Sequence, residues 1–234
     1  MFTIEIAGLT IGIEHKYSWV KKQCKDYIVQ SQPNFTVSVS QDDIEKESIA
    51  SSGAFSPAYC ESVCIYRAIC MKLPEYDAFL LHSAVVEVDG NAYAFVAPSG
   101  TGKSTHVALW CDYFGNRARV INGDKPIVRL SNDGRVYVYG TPWCGKEGYN
   151  INTYAPLKAI CFIQRGLENF IQEFSGSEMV GRLMKQILMP ENSENIIKTM
   201  CLLDRCVKAT PCYLLTCNMD ISAAQVAYRG MQSK

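Results

Sequence analysis

Apolar and polar residues alternate from Phe2 to Ile6, and Thr10, Ile11, Gly12 and Ile13 resume the apolar pattern after a glycine turn. A period of two broken by a turn predicts a β-hairpin at the start of the chain. Trp19, Val20, Cys24 and Ile28 then fall roughly on one face of a short helix over residues 17–28. Alternation of β-branched and aromatic residues predicts a strand over 35–39, and the acidic stretch 42–48 a surface helix or loop. Ser56 before Pro57 supplies an N-cap followed by proline at the first helical position. Tyr59, Val63, Tyr66 and Ile69 carry the helical pattern to Leu73, where Pro74 ends it. Residues 1–75 therefore read as a small α+β unit with no chemical motif of its own.

The remainder, residues 76–234, alternates strands with helices, so the chain is expected to be an α/β protein. A strand over 79–88 carrying His82 is joined through Asp89-Gly90, the tightest hairpin signal in the chain, to a strand over 91–96. A helix over 106–113 precedes a buried-type strand over 117–121, which ends at Asn122-Gly123-Asp124. Strands over 127–130 and 135–139 flank the turn Asn132-Asp133-Gly134. A glycine-rich loop over 140–150 follows, long enough to be functional or mobile. The strand over 157–163 ends near Arg165, helices cover 179–188 and 196–207, and a strand over 212–216 and a helix over 221–228 close the chain.

The densest chemistry lies between the strand over 91–96 and the helix after it: Ala97-Pro98-Ser99-Gly100-Thr101-Gly102-Lys103-Ser104-Thr105. Strand, glycine loop and helix in that order form a Walker A arrangement, with Ala97 where the first glycine of the pattern belongs. Gly100 and Gly102 let the backbone curl round phosphates, and the helix start offers N–H groups and a positive dipole end. Lys103 is placed to reach the β and γ phosphates and Ser104 to lend its hydroxyl to Mg²⁺. The expected binding residues are Ser99, Gly100, Thr101, Gly102, Lys103, Ser104 and Thr105. The loop hangs from a hairpin and not from a lone parallel strand. A triphosphate enzyme needs a second acid at a neighbouring strand end, and Asp124 stands there.

Composition narrows the partners. Lys+Arg and Asp+Glu number 23 each, and no basic block stands out, so a general nucleic-acid binder is not expected. No apolar run reaches the length of a membrane span, and the N-terminus lacks a basic n-region, so a cytoplasmic protein without a membrane partner is expected. In that reducing setting the 11 cysteines argue for small buried thiols on apolar faces rather than a disulfide framework. Cys60, Cys64 and Cys70, and Cys201, Cys206, Cys212 and Cys217, form two loose clusters without a C-x-x-C pair, and a metal site there is the less favoured reading.

With His82 before the hairpin, the loop Ser99 to Thr105, and Asp124 at the next strand end, the chain resembles the catalytic domain of HPr kinase/phosphorylase. More distantly it resembles the nucleotide core of ATP-dependent phosphoenolpyruvate carboxykinase. The resemblance covers roughly residues 78–217. It is strongest to HPr-kinase-like proteins of bacterial peptide-modification and small-molecule clusters, through His106 with Trp110, Gly123-Asp124-Lys125-Pro126 and Gly140-Thr141-Pro142-Trp143. It implies a PEP-carboxykinase-like P-loop core and an ATP- and Mg²⁺-dependent kinase of a serine-type hydroxyl on a peptide, a protein or a small molecule. Lys103 would then bind phosphates, Ser104 and Asp124 the metal, and His82 would sit beside the reacting phosphoryl group; if the acid that Gly123 replaces is the base, catalytic Asp124 must do double duty or catalysis is weak. Lys125, Lys146 and Arg165 are the remaining cations that could stabilise the transferring group. Trp143 and Tyr149 could stack on an acceptor or on adenine, or simply pack.

HPr kinases carry two adjacent acids where this chain has Gly123-Asp124, and the loop over 140–150 departs from their signature, so HPr itself is not the expected acceptor. The alternative function is a non-catalytic ATP-binding accessory or sensor module, with residues 1–75 as its docking surface. Whether the chain forms a homo-oligomer stays open.

Overall fold

The computed structural model describes residues 1–232. Strands β1 (Phe2–Ile6) and β2 (Leu9–Ile13) form the expected hairpin, turning through Ala7 and Gly8 at positive φ. Helix α1 is shorter than its apolar pattern suggests, Ser18–Gln23, because the chain tightens into a 3-10 turn at Lys25–Tyr27 before strand β3 (Ile28–Val29). Strand β4 (Phe35–Val37) completes a four-stranded sheet in the order β3-β1-β2-β4. The acidic stretch is helix α2 (Gln41–Ala50), held by a capping box between Ser40 and Asp43. Helix α3 (Pro57–Lys72) starts as its serine–proline signal predicts, with the Ser56 hydroxyl accepting from the Tyr59 N–H.

The second sheet has nine strands. The strand expected over 79–88 is instead two: β5 (Ala78–Leu80) at one edge and β6 (Ala84–Val88) next to the strand at the opposite edge. The break at residues 81–83 comes from competing partners. The His82 N–H donates to the Gln186 carbonyl and Leu81 bridges to Ile187, so this stretch leaves the ladder. Asp89 and Gly90, both at positive φ, turn β6 into β7 (Asn91–Val96). Helix α4 (Lys103–Phe114) follows, then β8 (Ala118–Asn122), β9 (Ile127–Leu130) and β10 (Val136–Tyr139).

Strand β11 (Tyr154–Arg165) is the seam of the sheet. Its first residues pair antiparallel with β10, and its remainder pairs parallel with β7. The glycine loop therefore hangs from a hairpin, as expected, and the same strand also belongs to a parallel pair. Strand β12 (Phe170–Glu173), absent from the sequence reading because its residues Phe-Ile-Gln-Glu are mostly exposed, pairs antiparallel with a later strand. Helices α5 (Ser177–Met184) and α6 (Ser193–Ala209) precede that strand, β13 (Cys212–Cys217), which lies parallel beside β11, and α7 (Ser222–Met231) ends the described chain.

Both faces of the large sheet are covered. Ala92, Ala94 and Val96 of β7 pack towards Leu183 of α5 and Leu202 and Leu203 of α6, whereas Tyr93 and Phe95 pack against Trp110 of α4 and Ala224 of α7. Burial on both sides explains the unbroken apolar run of β7. A third cluster joins the small sheet and α3 to Ala78, Leu80, Ile127 and Trp143 of the second part of the chain. Eight cysteines are buried, and all eleven are free. Among the described residues no helix is long and apolar enough to cross a membrane.

Candidate functional site

The glycine loop has the backbone its sequence demands. Gly100 (φ +77°) and Gly102 (φ +124°) occupy regions that a side chain rarely adopts, and Gly102 is the N-cap of α4 with no side-chain cap. The first N–H groups of α4 thus lack an intrahelical or capping partner, and they and the helix dipole suit an anion. Lys103 is buried, its ammonium donating to the Ala97 carbonyl at 2.7 Å. Burial pulls its pKa below the usual lysine value and the charge of Lys125 adds to this, against the pull of Asp124.

Because β7 and β11 run parallel, the end of β11 arrives beside the loop. Arg165 there donates from Nε to the Thr101 carbonyl at 3.1 Å and from Nη2 to the Gly100 carbonyl at 2.7 Å. Its guanidinium is therefore bound to the loop backbone.

Across from the loop, the end of β8 is shaped by Asn122, fully buried. Its Oδ1 accepts from the N–H groups of Asp124 (2.9 Å) and Lys125 (2.7 Å). Its Nδ2 donates to the carbonyls of Thr141 (3.0 Å) and Trp143 (3.1 Å). This Asx turn makes Asp124 point outward. Asp124 accepts from His82 Nε2 at 2.9 Å on Oδ1 and from Lys125 Nζ at 2.6 Å on Oδ2. Burial alone would raise its pKa, but the hydrogen bonds and charges of His82 and Lys125 outweigh it and hold the carboxyl well below the usual carboxylate range. The break between β5 and β6 is what frees His82 to reach Asp124.

One cleft of about 970 Å³ brings these halves together: Ser99, Gly100, Gly102, Lys103, Ser104 and Thr105 on one side, His82, Asp124 and Lys125 on the other, with Lys146 at its edge. Thr101 and Arg165 line a neighbouring pocket of about 450 Å³ instead, together with Leu109, Ile163 and Met219. Trp143 is not free to stack on a ligand. It is buried against Tyr66, ring centroids 4.4 Å apart, and donates from Nε1 to the Ser62 hydroxyl at 2.9 Å. The start of the 140–150 loop is thereby pinned to α3, and only its tip, with Tyr149 half-exposed, stands in solvent.

Gly123 is not at positive φ, and a Cβ there would meet Tyr149 Cβ at an ordinary 3.5 Å. Two residues that shape the site escape the sequence reading as site residues. Asn122 could have been found from its Asn-Gly-Asp turn chemistry. Tyr66, which donates to the Lys125 carbonyl at 2.7 Å, could not, because nothing local links α3 to β8.

Among the described residues no group of three or more His, Cys, Asp and Glu side chains gathers as a metal cage. The site can offer a cation one hydroxyl, Ser104, and one ionised carboxylate, Asp124. That donor set fits Mg²⁺, which keeps several waters and takes one or two protein oxygens beside substrate phosphates.

Fold and site define an α/β protein with a glycine loop facing a histidine–aspartate pair. No family model matches the chain, and no curated protein matches it. Among solved structures it shows a likeness to the Hpr(Ser) kinase/phosphatase from Coxiella burnetii, at 10% identity over 55% of this chain and 97% of that one, with a TM-score of 0.30.

Proposed function

We propose that the protein is a cytoplasmic, ATP- and Mg²⁺-dependent kinase on a P-loop core, transferring the γ-phosphoryl group to a serine-type hydroxyl. The observation that carries this reading is the shared cleft: Lys103 and Ser104 at the start of α4 open onto the same space as Asp124 and His82. A simple anion site has no use for a carboxylate held ionised opposite its lysine. The apolar 450 Å³ pocket beside Thr105 and Leu109 suits the nucleoside, since its walls stand at the carboxyl ends of β11 and β13.

In the proposed reaction the acceptor oxygen attacks the γ-phosphorus, the bond from that phosphorus to the bridging oxygen breaks, ADP leaves, and the hydroxyl proton passes to Asp124. Mg²⁺ held by Ser104 and Asp124 would supply charge neutralisation to the phosphates when bound. His82 orients the carboxylate through Oδ1. The polyanion competes with Asp124 for Lys125, which frees Oδ2 to face the acceptor hydroxyl. Lys103 meets the phosphates, and Arg165 holds the loop in shape while adding positive charge.

Two observations favour a second reading, a non-catalytic ATP-binding module: Gly123 where an HPr-kinase-like chain keeps an acid, and an Asp124 already engaged at both oxygens. Incubation with γ-labelled ATP, Mg²⁺ and fractions of the source cell extract separates the two. Label in an acceptor supports the kinase; ATP bound stoichiometrically with neither transfer nor ADP supports the module. Asp124→Asn should lower transfer by about 10²–10⁴-fold and remove the gain in ATP affinity that Mg²⁺ brings, leaving metal-free binding nearly intact.

A further inference from the structure

The cleft that holds the glycine loop and Asp124 is also lined by residues of the 1–75 stretch. Trp19 of α1 (50% exposed), Phe55 just before α3 (50%) and Tyr59 in the first turn of α3 (40%) all line it. Large aromatics this exposed are a cost to a soluble protein unless something covers them, and aromatic side chains gathered in a cleft are a mark of recognition. Phe55 and Tyr59 lie against each other, ring centroids 4.7 Å apart, forming one continuous apolar surface.

The wall is rigid. Gln23, next in the cleft to Trp19, donates to the Pro142 carbonyl at 3.1 Å and accepts from the Ser62 hydroxyl at 2.6 Å, and the same hydroxyl accepts from Trp143. Helices α1 and α3 are thus tied to each other and to the loop that borders Asp124. The division of chemistry is sharp as well. Every charged group lining the cleft, Asp124, Lys103, Lys125, Lys146, Glu147 and His82 when protonated, comes from the second part of the chain, and the residues 1–75 contribute only Trp19, Gln23, Phe55 and Tyr59.

Resting on the kinase reading, we infer that this wall is the specificity surface for the acceptor, and that the acceptor is a peptide segment carrying an aromatic or large aliphatic side chain next to its hydroxyl residue. A free hydroxy amino acid would leave the aromatic wall against water and fill a small part of about 970 Å³. A peptide places its hydroxyl at Asp124 and its neighbouring apolar side chain on Trp19 and Phe55, where buried aromatic anchors dominate binding.

The test uses the full chain and a set of serine-centred octapeptides, each with one flanking position fixed as Phe, Leu, Gly, Lys or Glu, beside free serine and N-acetylserinamide. Binding is read by fluorescence anisotropy in the presence of a non-hydrolysable ATP analogue, and transfer separately with γ-labelled ATP. Phe- and Leu-flanked peptides should bind about tenfold or more tighter than Gly- or Glu-flanked ones. Trp19→Ala with Phe55→Ala should erase that preference while the affinity for the ATP analogue, measured by calorimetry, stays at the parent value. Equal binding of all peptides, a preference that survives the double variant, or free serine and N-acetylserinamide labelled as well as any peptide would overturn the inference. An aromatic preference in binding with no transfer to any peptide or extract fraction would instead sink the kinase reading and leave the wall as the peptide site of a binding module.

Discussion

Asn122 offers the sharpest test of how the site is held. Its Nδ2 faces two carbonyls at 3.0 and 3.1 Å, and its Oδ1 receives two N–H groups, all in a place with no solvent exposure. Asn122→Asp keeps the shape and the two N–H contacts but turns a donor into an oxygen against two carbonyl oxygens, with the Asp124 carboxylate close by. The new acid escapes repulsion only by taking a proton, so its folded-state pKa is raised. A folded pKa above 7 against about 3.9 unfolded costs about 4 kcal/mol at pH 7 and about 1.5 kcal/mol at pH 5. The sign follows from the raised value: the unfolded chain gives up its proton first, so the variant loses stability as pH rises and regains it as pH falls. Asn122→Ala, by contrast, strands buried backbone donors and acceptors and should cost about 3 kcal/mol at either pH. Urea unfolding of parent and both variants at pH 5, 7 and 8 measures this. An Asp variant within about 1 kcal/mol of the parent at pH 7, or one whose deficit does not grow with pH, would show that Asn122 does not hold the turn as described.

Lys103→Ala should weaken ATP roughly ten- to a hundredfold by calorimetry, the worth of a charge-assisted contact of about 1.5–3 kcal/mol; an unchanged affinity would mean the loop does not hold phosphates. Gly123→Asp should fold without strain, since a Cβ there makes only ordinary contact, and should raise single-turnover transfer by supplying a second acid. A folded variant with unchanged or slower transfer would show that no acid is missing. His106 is buried, and burial lowers its pKa to about 4. A histidine depressed in the folded state contributes stability present above its unfolded value of about 6.5 and lost as pH falls towards 4, about 2 kcal/mol of it gone by pH 5. Thermal melts should show that loss in the parent and a flatter profile in His106→Gln; equal slopes would mean the imidazole titrates freely in the folded protein.

Local chemistry made part of this protein legible from sequence. Gly100 and Gly102 mark the phosphate-type loop because that backbone has to curl where a Cβ would collide, Ser56-Pro57 starts α3, and the apolar run of β7 declares a strand. Asp124 is legible as a strand-end acid for the same reason: a turn and a polar side chain are properties of a few neighbouring residues. What sequence alone does not decide are the pairings between segments far apart in the chain. Residues 79–88 read as one strand because no glycine or proline interrupts them, yet the Gln186 carbonyl and Ile187 pair with residues 82 and 81, outside the ladder, and His82 meets Asp124. Trp143 reads equally well as a ligand platform or as packing until Ser62 and Tyr66 arrive from α3 to bury it. Arg165 reads as a spare cation until the parallel pairing of β11 with β7 delivers it to the carbonyls of Gly100 and Thr101. In each case the side chain's partner is set by which strands and helices pack together, an energy summed over the whole core that no short window of sequence contains.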